Sequence, residues 1–322
     1  MMTIQRRSLL KAAAAGAGAA GLGGGRAAVA QGNPGARQAW AEGTKLLLLG
    51  TMAGPVLNAT RAMSSQIVFV DGHGYLIDCG YGAIGRMTEA GIRLPQIEQV
   101  FLTHHHSDHT ADYPAFLNLA WIIGIPGQIG VFGPPPLARM HAAALAVFEE
   151  DTEIRVRATG RKPIAQSYAV KELRAPGVVF QDERVKISAA LADHAPFDVA
   201  FGFRFDTPAR SIVISGDTSY SEHIVALAEG ADVLVHEAML VPAIDKMLAA
   251  RPYVPPRLRE FLLNGHTSAQ DAGRVAAKAG VKTLVLSHLL PGDTAIDDSI
   301  WIAEAARHFK GQIVVGRDRL VV

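Results

Sequence analysis

The residues best suited to metal chemistry lie together in one short segment, Thr103–His109. Within six positions it holds His104, His106, Asp108 and His109, and it follows directly on an apolar run that is typical of a strand. Imidazole and carboxylate ligands suit zinc, and also manganese or iron. Alternate residues such as His104 and His106 point the same way from an extended chain, whereas the adjacent Asp108 and His109 must point elsewhere. The segment therefore predicts two metal ions held side by side.

Three further candidate ligands stand where later apolar runs end. His194 closes a predicted strand, Asp217 follows the run Ile212–Ile214, and His288 follows the run Leu284–Leu286. All three are thus expected at strand ends, like the first cluster. Each alone is equally compatible with a core or capping role, and their joint occurrence favours ligation.

Taken together, these motifs resemble the metallo-β-lactamase superfamily, whose signature H-x-H-x-D-H is met by His104, His106, Asp108 and His109. The match extends over about 44–318 and is similar to the tRNase Z and arylsulfatase-like branch. Its further motifs, in chain order, are Leu49-Gly50-Thr51, Leu76-Ile77-Asp78-Cys79-Gly80, Asp193-His194, Ser215-Gly216-Asp217-Thr218, His236-Glu237-Ala238, Gly265-His266-Thr267-Ser268 and Leu286-Ser287-His288.

The resemblance implies a ligand set for two divalent metal ions, zinc first and manganese or iron next. One ion would be held by His104, His106 and His194, the other by Asp108, His109 and His288, with Asp217 bridging them. Such a pair generates hydroxide near neutral pH and polarises the bond under attack, so the expected reaction is hydrolysis.

Three residues are expected to handle protons at this centre. Asp108 is the candidate acceptor of the water's proton, and His266 is the candidate donor to the leaving group. Glu237 is expected to orient His266, with His236 close by, although a buried structural pair is an equal alternative for His236 and Glu237.

The elements that must position these residues alternate between short apolar runs and helical stretches. This pattern predicts an α/β (α+β) fold, an αβ/βα four-layer sandwich of two mixed sheets with helices outside. Strands are predicted at Lys45–Leu49, Gln66–Val70, Tyr75–Asp78, Gln99–Thr103, Ile129–Phe132, Val185–Ala190, Val199–Phe205, Ser211–Ser215, Val233–His236, Thr283–Ser287 and Gln312–Val315. Helices are predicted at Ile84–Ala90, Ala111–Ile123, Leu137–Glu150, Glu222–Ala228, Ala269–Ala279 and Asp297–Phe309.

Some residues are expected to take no part in the chemistry. Residues 151–175 and 251–265 resist assignment and are predicted to be solvated insertions, with a lid or binding loop as the alternative. The basic stretch 155–174 could attract anionic substrates. The one cysteine, Cys79, is expected to be a buried small hydrophobe. The histidines read as surface or turn residues are His73, His141, His223 and His308, and His105 occupies the variable position of the signature.

Residues 1–30 have the layout of a signal peptide. Arg6, Arg7 and Lys11 precede an Ala/Gly/Leu stretch that ends at Ala28-Val29-Ala30, and the Arg6-Arg7 pair resembles a twin-arginine signal. The apolar stretch is too short for a membrane span. We expect recognition by the twin-arginine export machinery, cleavage near Ala30, a linker at 31–42, a hydrolase domain at 43–322, and a periplasmic or secreted product.

Charge narrows the substrate class. The 322 residues carry 31 Lys+Arg against 30 Asp+Glu, and loss of the four basic residues of 1–30 leaves 27 against 30, a net charge of −3. An acidic mature chain disfavours a large nucleic-acid partner. The Gly/Pro-rich arm with which tRNase Z grips tRNA is also not recognisable between Gly133 and Pro176.

The favoured function is therefore hydrolysis of a small anionic ester, arylsulfate-like or phosphodiester. The alternatives are a lactonase or β-lactamase, a tRNase Z-like endoribonuclease, and a non-enzymatic periplasmic metal- or solute-binding protein. The oligomeric state stays open, since no heptad pattern is present.

Overall fold

A computed structural model describes residues 40–322 of the protein. The predicted signal peptide and most of the predicted linker lie outside the described residues. Within the described range the chain forms two mixed sheets.

Sheet 1 is formed by the first half of the described chain. Its order is β1-β2-β3-β4-β5-β6; β1 to β3 pair antiparallel, and β3 to β6 pair in parallel. The strands are β1 (Thr44–Gly50), β2 (Ser65–Val70), β3 (His73–Ile77), β4 (Ile97–Phe101), β5 (Ile129–Gly133) and β6 (Tyr168–Glu172).

Sheet 2 repeats this plan with the second half. Its order is β13-β12-β11-β10-β9-β8-β7; β7 to β10 pair antiparallel, and β10 to β13 pair in parallel. The strands are β7 (Gly177–Gln181), β8 (Lys186–Leu191), β9 (Phe201–Asp206), β10 (Ser211–Ile214), β11 (Val233–Met239), β12 (Thr283–Leu290) and β13 (Gln312–Val315).

Helices connect the strands and cover the outer faces of the sheets. Short 3-10 turns lie at Leu94–Gln96 and Ile164–Ser167. The α-helices are α1 (Ala83–Glu89), α2 (Ser107–Thr110), α3 (Tyr113–Ile123), α4 (Leu137–Ala146), α5 (Glu149–Thr159), α6 (Glu222–Leu227), α7 (Val241–Ala249), α8 (Leu258–Gly265), α9 (Ala269–Ala279) and α10 (Asp298–Ala305).

The apolar side chains form three main layers of core. Between the two sheets, Phe101, Phe203 and Phe205 are fully buried, and the Phe101 ring makes edge contacts with the other two. A second layer joins sheet 1 to α1, α3 and α4, and a third joins sheet 2 to α6, α9 and α10. Helix, sheet, sheet and helix layers make the four-layer sandwich, so the predicted fold is confirmed.

The predicted long helix Leu137–Glu150 is wrong, because the chain forms two helices, α4 and α5, that break at residues 147 and 148. Helix α5 also occupies the start of the segment expected to be a solvated insertion. Two of its arginines pair one turn back, Arg155 with Asp151 and Arg157 with Glu153. Its two arginines are thus balanced along its own surface, and only the first five residues of the expected basic stretch are helical; the rest forms a connection, a 3-10 turn and β6.

The second unassigned segment, 251–265, contributes the connection and the second helix of a helical hairpin. Helices α7 and α8 pack through Ile244 and Leu262 onto a small apolar cluster that includes Ala53 and Leu290. This cluster lies apart from the three main layers. The hairpin stands between Glu237 and His266 in the chain, so it is attached to the rim of the candidate site.

Individual burial departs from expectation at two places. Trp40, assigned to the linker, is buried and stacks on Phe69 with 4.9 Å between ring centroids. His141, expected at the surface, is buried in α4, where its Nδ1 lies 2.6 Å from the Tyr113 hydroxyl.

Cys79 is fully buried, as expected, and burial raises the pKa of its thiol well above the usual range. Among residues 40–322, no helix has the length and apolar character needed to cross a membrane.

Candidate metal centre

The candidate ligands meet at one edge of the sandwich, where strands of both sheets end. His104, His106, Asp108 and His109 follow β4, and Asp217 follows β10. Parallel neighbouring strands end at the same edge of a sheet, which is why residues distant in sequence meet there.

His288 reaches the centre through an irregularity in β12. Glu237 of β11 pairs with Ser287 and Ala238 pairs with Leu289, so His288 is an extra residue in the ladder. Its φ of 44° is in the left-handed region. A bulge of this kind re-aims a side chain next to a functional site. The predicted strand end at Ser287 is therefore wrong, because the strand continues through the bulge to Leu290.

The first group of candidate ligands comprises His104, His106, His194 and Asp217. His106 Nδ1 lies 3.0 Å from His104 Nε2 and 3.2 Å from His194 Nε2. Asp217 Oδ2 is 3.7 Å from His104 Nε2 and 4.0 Å from His194 Nε2. These four atoms all lie within 4.8 Å of one another, a spacing compatible with a single ion.

The second group comprises Asp108, His109 and His288. Asp108 Oδ2 lies 3.2 Å from His288 Nε2 and 3.8 Å from His109 Nε2. The Asp217 carboxylate also faces this group, with Oδ1 3.3 Å from His109 Nε2 and Oδ2 3.3 Å from His288 Nε2. Asp217 is thus shared between the two groups, as the resemblance implies for a bridging ligand.

The donor atoms fit divalent metal ions in number, type and direction. His109 Nε2 and Asp217 Oδ1 are buried and have no hydrogen-bond partner among the described residues, although both point into the cluster. Buried polar atoms without partners are costly unless a ligand satisfies them. Imidazole and carboxylate donors without thiolate suit zinc, manganese or iron.

Burial keeps three of the imidazoles in the neutral form that can bind a metal ion. Burial, together with His109 alongside, lowers the pKa of His104 well below its usual range, and burial likewise lowers the pKa of His106. Burial lowers the pKa of His194 to about 4 despite the opposing charge of Asp217. All three side chains are therefore neutral at pH 7, the state in which imidazole binds metal.

His109 differs because carboxylates surround it. Burial disfavours its charged form, but Asp217 and Asp78 outweigh burial and raise the pKa of His109 well above the usual range. A metal ion that binds His109 Nε2 must therefore displace a proton.

Hydrogen bonds from outside the cluster fix the orientation of the ligands. Asp78 Oδ2 lies 2.7 Å from His109 Nδ1, and its Oδ1 accepts from the Thr103 backbone N–H at 2.8 Å. The Gly54 backbone N–H donates to Asp108 Oδ2 at 2.7 Å. On the other side, His194 Nδ1 donates to the Gly265 carbonyl at 2.7 Å.

Sequence reasoning gave Asp78 and Gly54 no role at the site. Asp78 carried the same signal as the ligands, a carboxylate directly after an apolar strand. Gly54 gave no signal beyond its glycine, because its role depends on how closely a distant loop approaches Asp108.

Glu237 and His266 form a pair beside the cluster. His266 Nδ1 lies 2.9 Å from Glu237 Oε2 and 3.9 Å from Asp217 Oδ2, and all three residues are buried. The other Glu237 oxygen accepts from the Thr218 backbone N–H at 2.6 Å, so the carboxylate is held in place. Burial disfavours a charged imidazole, but the Glu237 carboxylate outweighs it and raises the pKa of His266 to about 9.

The remaining histidines lie outside the centre. His236 was expected close to it, but it projects from the opposite face of β11 to Glu237, and its Nδ1 donates to the Glu237 carbonyl at 2.8 Å. His105 Nε2 bonds the Pro134 carbonyl at 2.8 Å. His73, His223 and His308 lie at the surface or at its edge, as expected.

The family model described as "Beta-lactamase superfamily domain" matches residues 73–289, a range that contains all the candidate ligands. A protein named ribonuclease Z from Mycobacterium sp. (strain KMS) is 36% identical over 280 residues, which cover 85% of this chain and 94% of that one.

Solved structures share the same architecture. A metallo-β-lactamase fold protein of Bacillus subtilis superposes with a TM-score of 0.64 at 18% identity, covering 87% of this chain and 98% of that chain. The short form of human tRNase Z gives 0.59 at 22% identity, covering 86% and 98%. At these identities the likeness shows the fold alone.

Proposed function

The chain belongs to the metallo-β-lactamase superfamily as a metal-dependent hydrolase, and we propose that its substrates are phosphodiesters. Relatives that carry the name ribonuclease Z support this class, because a ribonuclease cleaves phosphodiester bonds. The His266–Glu237 pair beside the metal centre also supports it.

The two groups of candidate ligands would each hold one divalent ion. His104, His106 and His194 would hold the first, Asp108, His109 and His288 the second, and Asp217 would contact both. When bound, such ions supply hydroxide at neutral pH and Lewis-acid stabilisation of an anionic ester under attack.

The observation that carries the proposal is the His266–Glu237 pair. Glu237 holds His266 in its protonated form, and the imidazolium stands 3.9 Å from Asp217 at the edge of the metal centre. An alkoxide leaving group is strongly basic and needs a proton as the ester bond breaks. His266 donates that proton and is left neutral until it takes up a proton from solvent, while Glu237 orients the imidazole and stabilises its charged form.

Asp108 supplies the complementary base. Burial raises the pKa of its carboxyl, but His109 and His288 outweigh burial and lower the pKa below the usual range. The carboxylate stays ionised and is held by the Gly54 N–H, so it has no proton of its own and faces the attacking water as an acceptor, although the lowered pKa makes it a weak base.

This arrangement favours a phosphodiester with an alkoxide leaving group over an aryl sulfate. The leaving group of an aryl sulfate is a phenolate, whose conjugate acid has a pKa of about 10, so it departs without much help from an acid. A protonated His266 is therefore of greater use against an alkoxide than against a phenolate.

A ribonuclease Z-like endonuclease is the second candidate, because relatives with that name align along most of the chain. The structure of residues 134–176 argues against this second candidate. Helices α4 and α5 and strand β6 pack there against sheet 1 and α3, and the arginines of α5 are paired with acids. The paired arginines of α5 therefore have less positive charge to offer an RNA backbone.

The test is a substrate panel on purified protein whose zinc content has been measured. We expect turnover of bis(p-nitrophenyl) phosphate and of diesters with alkoxide leaving groups, and little turnover of p-nitrophenyl sulfate, a lactone or a β-lactam. A precursor tRNA in the same panel decides between the two candidates. Turnover of the sulfate alone, with two metals bound, would refute the proposal.

We also propose that the protein is exported through the twin-arginine route. The proposal is supported by Arg6, Arg7 and the Ala28-Val29-Ala30 end of the leader, which lie outside the described residues. It places the enzyme in the periplasm or outside the cell.

A further inference from the structure

Two phenylalanine rings border the metal centre on the side of His106. The Phe197 ring lies 4.6 Å from the His106 ring and 5.7 Å from the His194 ring, centroid to centroid. The Phe261 ring lies 6.1 Å from the His106 ring. Both phenyl rings are steeply inclined to the His106 imidazole, at 78° and 65°.

Neither ring belongs to the apolar clusters of the described chain. Helix α8 is anchored by Leu258, Leu262 and Leu263, which contact the small apolar cluster around Ile244, whereas Phe261 lies outside that cluster and is 37% exposed. Phe197 lies outside all four apolar clusters and is half-buried. Apolar surface is thus presented beside a centre otherwise built of polar groups.

The backbone fixes both rings relative to the ligands. Phe197 stands in the turn after His194, where its N–H donates to the His194 carbonyl at 2.9 Å. Phe261 is one turn before Gly265, whose carbonyl accepts from His194 Nδ1. The two rings are therefore tied to the same ligand, one through the loop after β8 and one through α8.

We propose that Phe197 and Phe261 form an aromatic subsite that binds a planar ring of the substrate next to the scissile ester. The inference rests on the proposed phosphodiesterase function and specifies its substrate class. Stacking of a planar ring on aromatic side chains is tolerant of the ring's identity, so an aryl group and a nucleobase present the same chemistry.

Binding to the zinc-loaded protein tests the subsite without turnover. Calorimetry compares phenylphosphonate with cyclohexylphosphonate, which has a saturated ring of similar size, and thymidine 5′-monophosphate with deoxyribose 5-phosphate. We expect the planar member of at least one pair to bind about tenfold more tightly, within the range of one stacked ring. The ligand pair whose planar and saturated members differ in affinity shows whether the subsite takes an aryl group or a nucleobase.

The variants are Phe197→Leu and Phe261→Leu, which keep apolar bulk and remove the ring. Each should reduce the planar preference to within about twofold while the zinc content is retained. The matched control is Phe180→Leu, a half-buried ring that packs against Phe101 and Phe132 between the sheets. It should leave the preference unchanged.

Two results would overturn the subsite: an equal affinity of the wild-type protein for the planar and saturated ligands, or a preference that survives both substitutions. If the preference is present but no phosphodiester is hydrolysed, the proposed function fails and the subsite stands. If a variant loses zinc, its equal loss of affinity for all four ligands would assign that phenylalanine to support of the ligands rather than to the substrate.

Discussion

At the scale of single residues, the proposed chemistry depends on a proton that Glu237 keeps on His266. The His266 Nδ1 to Glu237 Oε2 contact of 2.9 Å is made in a buried environment, where a charge-assisted hydrogen bond is strong. The two candidate ligand groups are complete without either residue, although His266 also lies within 4.8 Å of Asp217 and His288. We expect the metals to remain when the pair is altered, and metal analysis checks this.

We predict that His266→Ala lowers kcat about 100-fold on a diester with an alkoxide leaving group, with two metals still bound. The loss should be much smaller for bis(p-nitrophenyl) phosphate, whose leaving group needs no proton. Steady-state kinetics with metal analysis measures both effects, and His308→Gln, at an exposed histidine, is the control. Equal losses on the two substrates would exclude a proton-donor role.

The same pair predicts a pH dependence. His266 is protonated below its folded pKa of about 9 and loses its proton as the pH rises through that value, so activity should fall on the alkaline side. Bound metal cations repel an imidazolium and lower its pKa. In the metal-loaded enzyme the alkaline fall in activity should therefore lie at or below pH 9. The limb should disappear in the residual activity of His266→Ala.

At the scale of elements, the loop after β1 approaches the metal centre so closely that only glycine fits. A Cβ on Gly54 would stand 2.2 Å from the Asp108 Cβ, while the Gly54 N–H donates to Asp108 Oδ2. The contact joins the first strand's loop to α2 and thereby fixes one ligand of the second group.

Gly54→Ala is therefore predicted to displace Asp108 and lower metal affinity by at least tenfold, in line with the effect of losing an orienting contact. Competition with a chelator measures the affinity. Gly85→Ala is the matched control, since a Cβ there meets no atom within 4 Å and alanine favours helix α1. Unchanged zinc affinity in Gly54→Ala would show that the loop can move aside at little cost.

The elements that sequence reasoning found are those with a strong local signal. Helix α9 has the predicted bounds, Ala269–Ala279, because Ser268 caps its start and Gly280 ends it in the left-handed conformation. Helix α5 was missed because Thr152 is its only buried residue, which leaves no apolar periodicity to detect. Strand β7 was missed because it is an edge strand with one buried residue, Val179.

The features of the site likewise fall into those that the sequence indicated and those that only the folded structure shows. Residue type and spacing brought out His104, His106, Asp108 and His109, and the family resemblance assigned His194, Asp217 and His288 as further ligands. The bulge at His288 and the approach of Gly54 depend on contacts between distant segments. Phe197 and Phe261 carry no chemical signal in the sequence, because their place beside His106 is set by a turn and by a helix.

At the scale of the whole molecule, the two sheets contribute to one centre. Asp108 follows sheet 1 and His288 belongs to sheet 2, and the two residues are 180 positions apart in the chain. The complete ligand set therefore exists only after both halves have folded and packed. A chain exported unfolded would have to acquire its metals after export, whereas a chain exported folded can carry them with it.

This dependence gives the twin-arginine proposal a measurable consequence. Replacing both Arg6 and Arg7 by Lys keeps the charge of the leader but removes the arginine pair, and we predict that the processed, exported form falls at least tenfold. Arg26→Lys, an equivalent change outside the pair, should export normally. Cell fractionation measures both. Undiminished export of the double variant would mean that the leader uses another route, and the metals would then have to be acquired outside the cytoplasm by a chain that folds there.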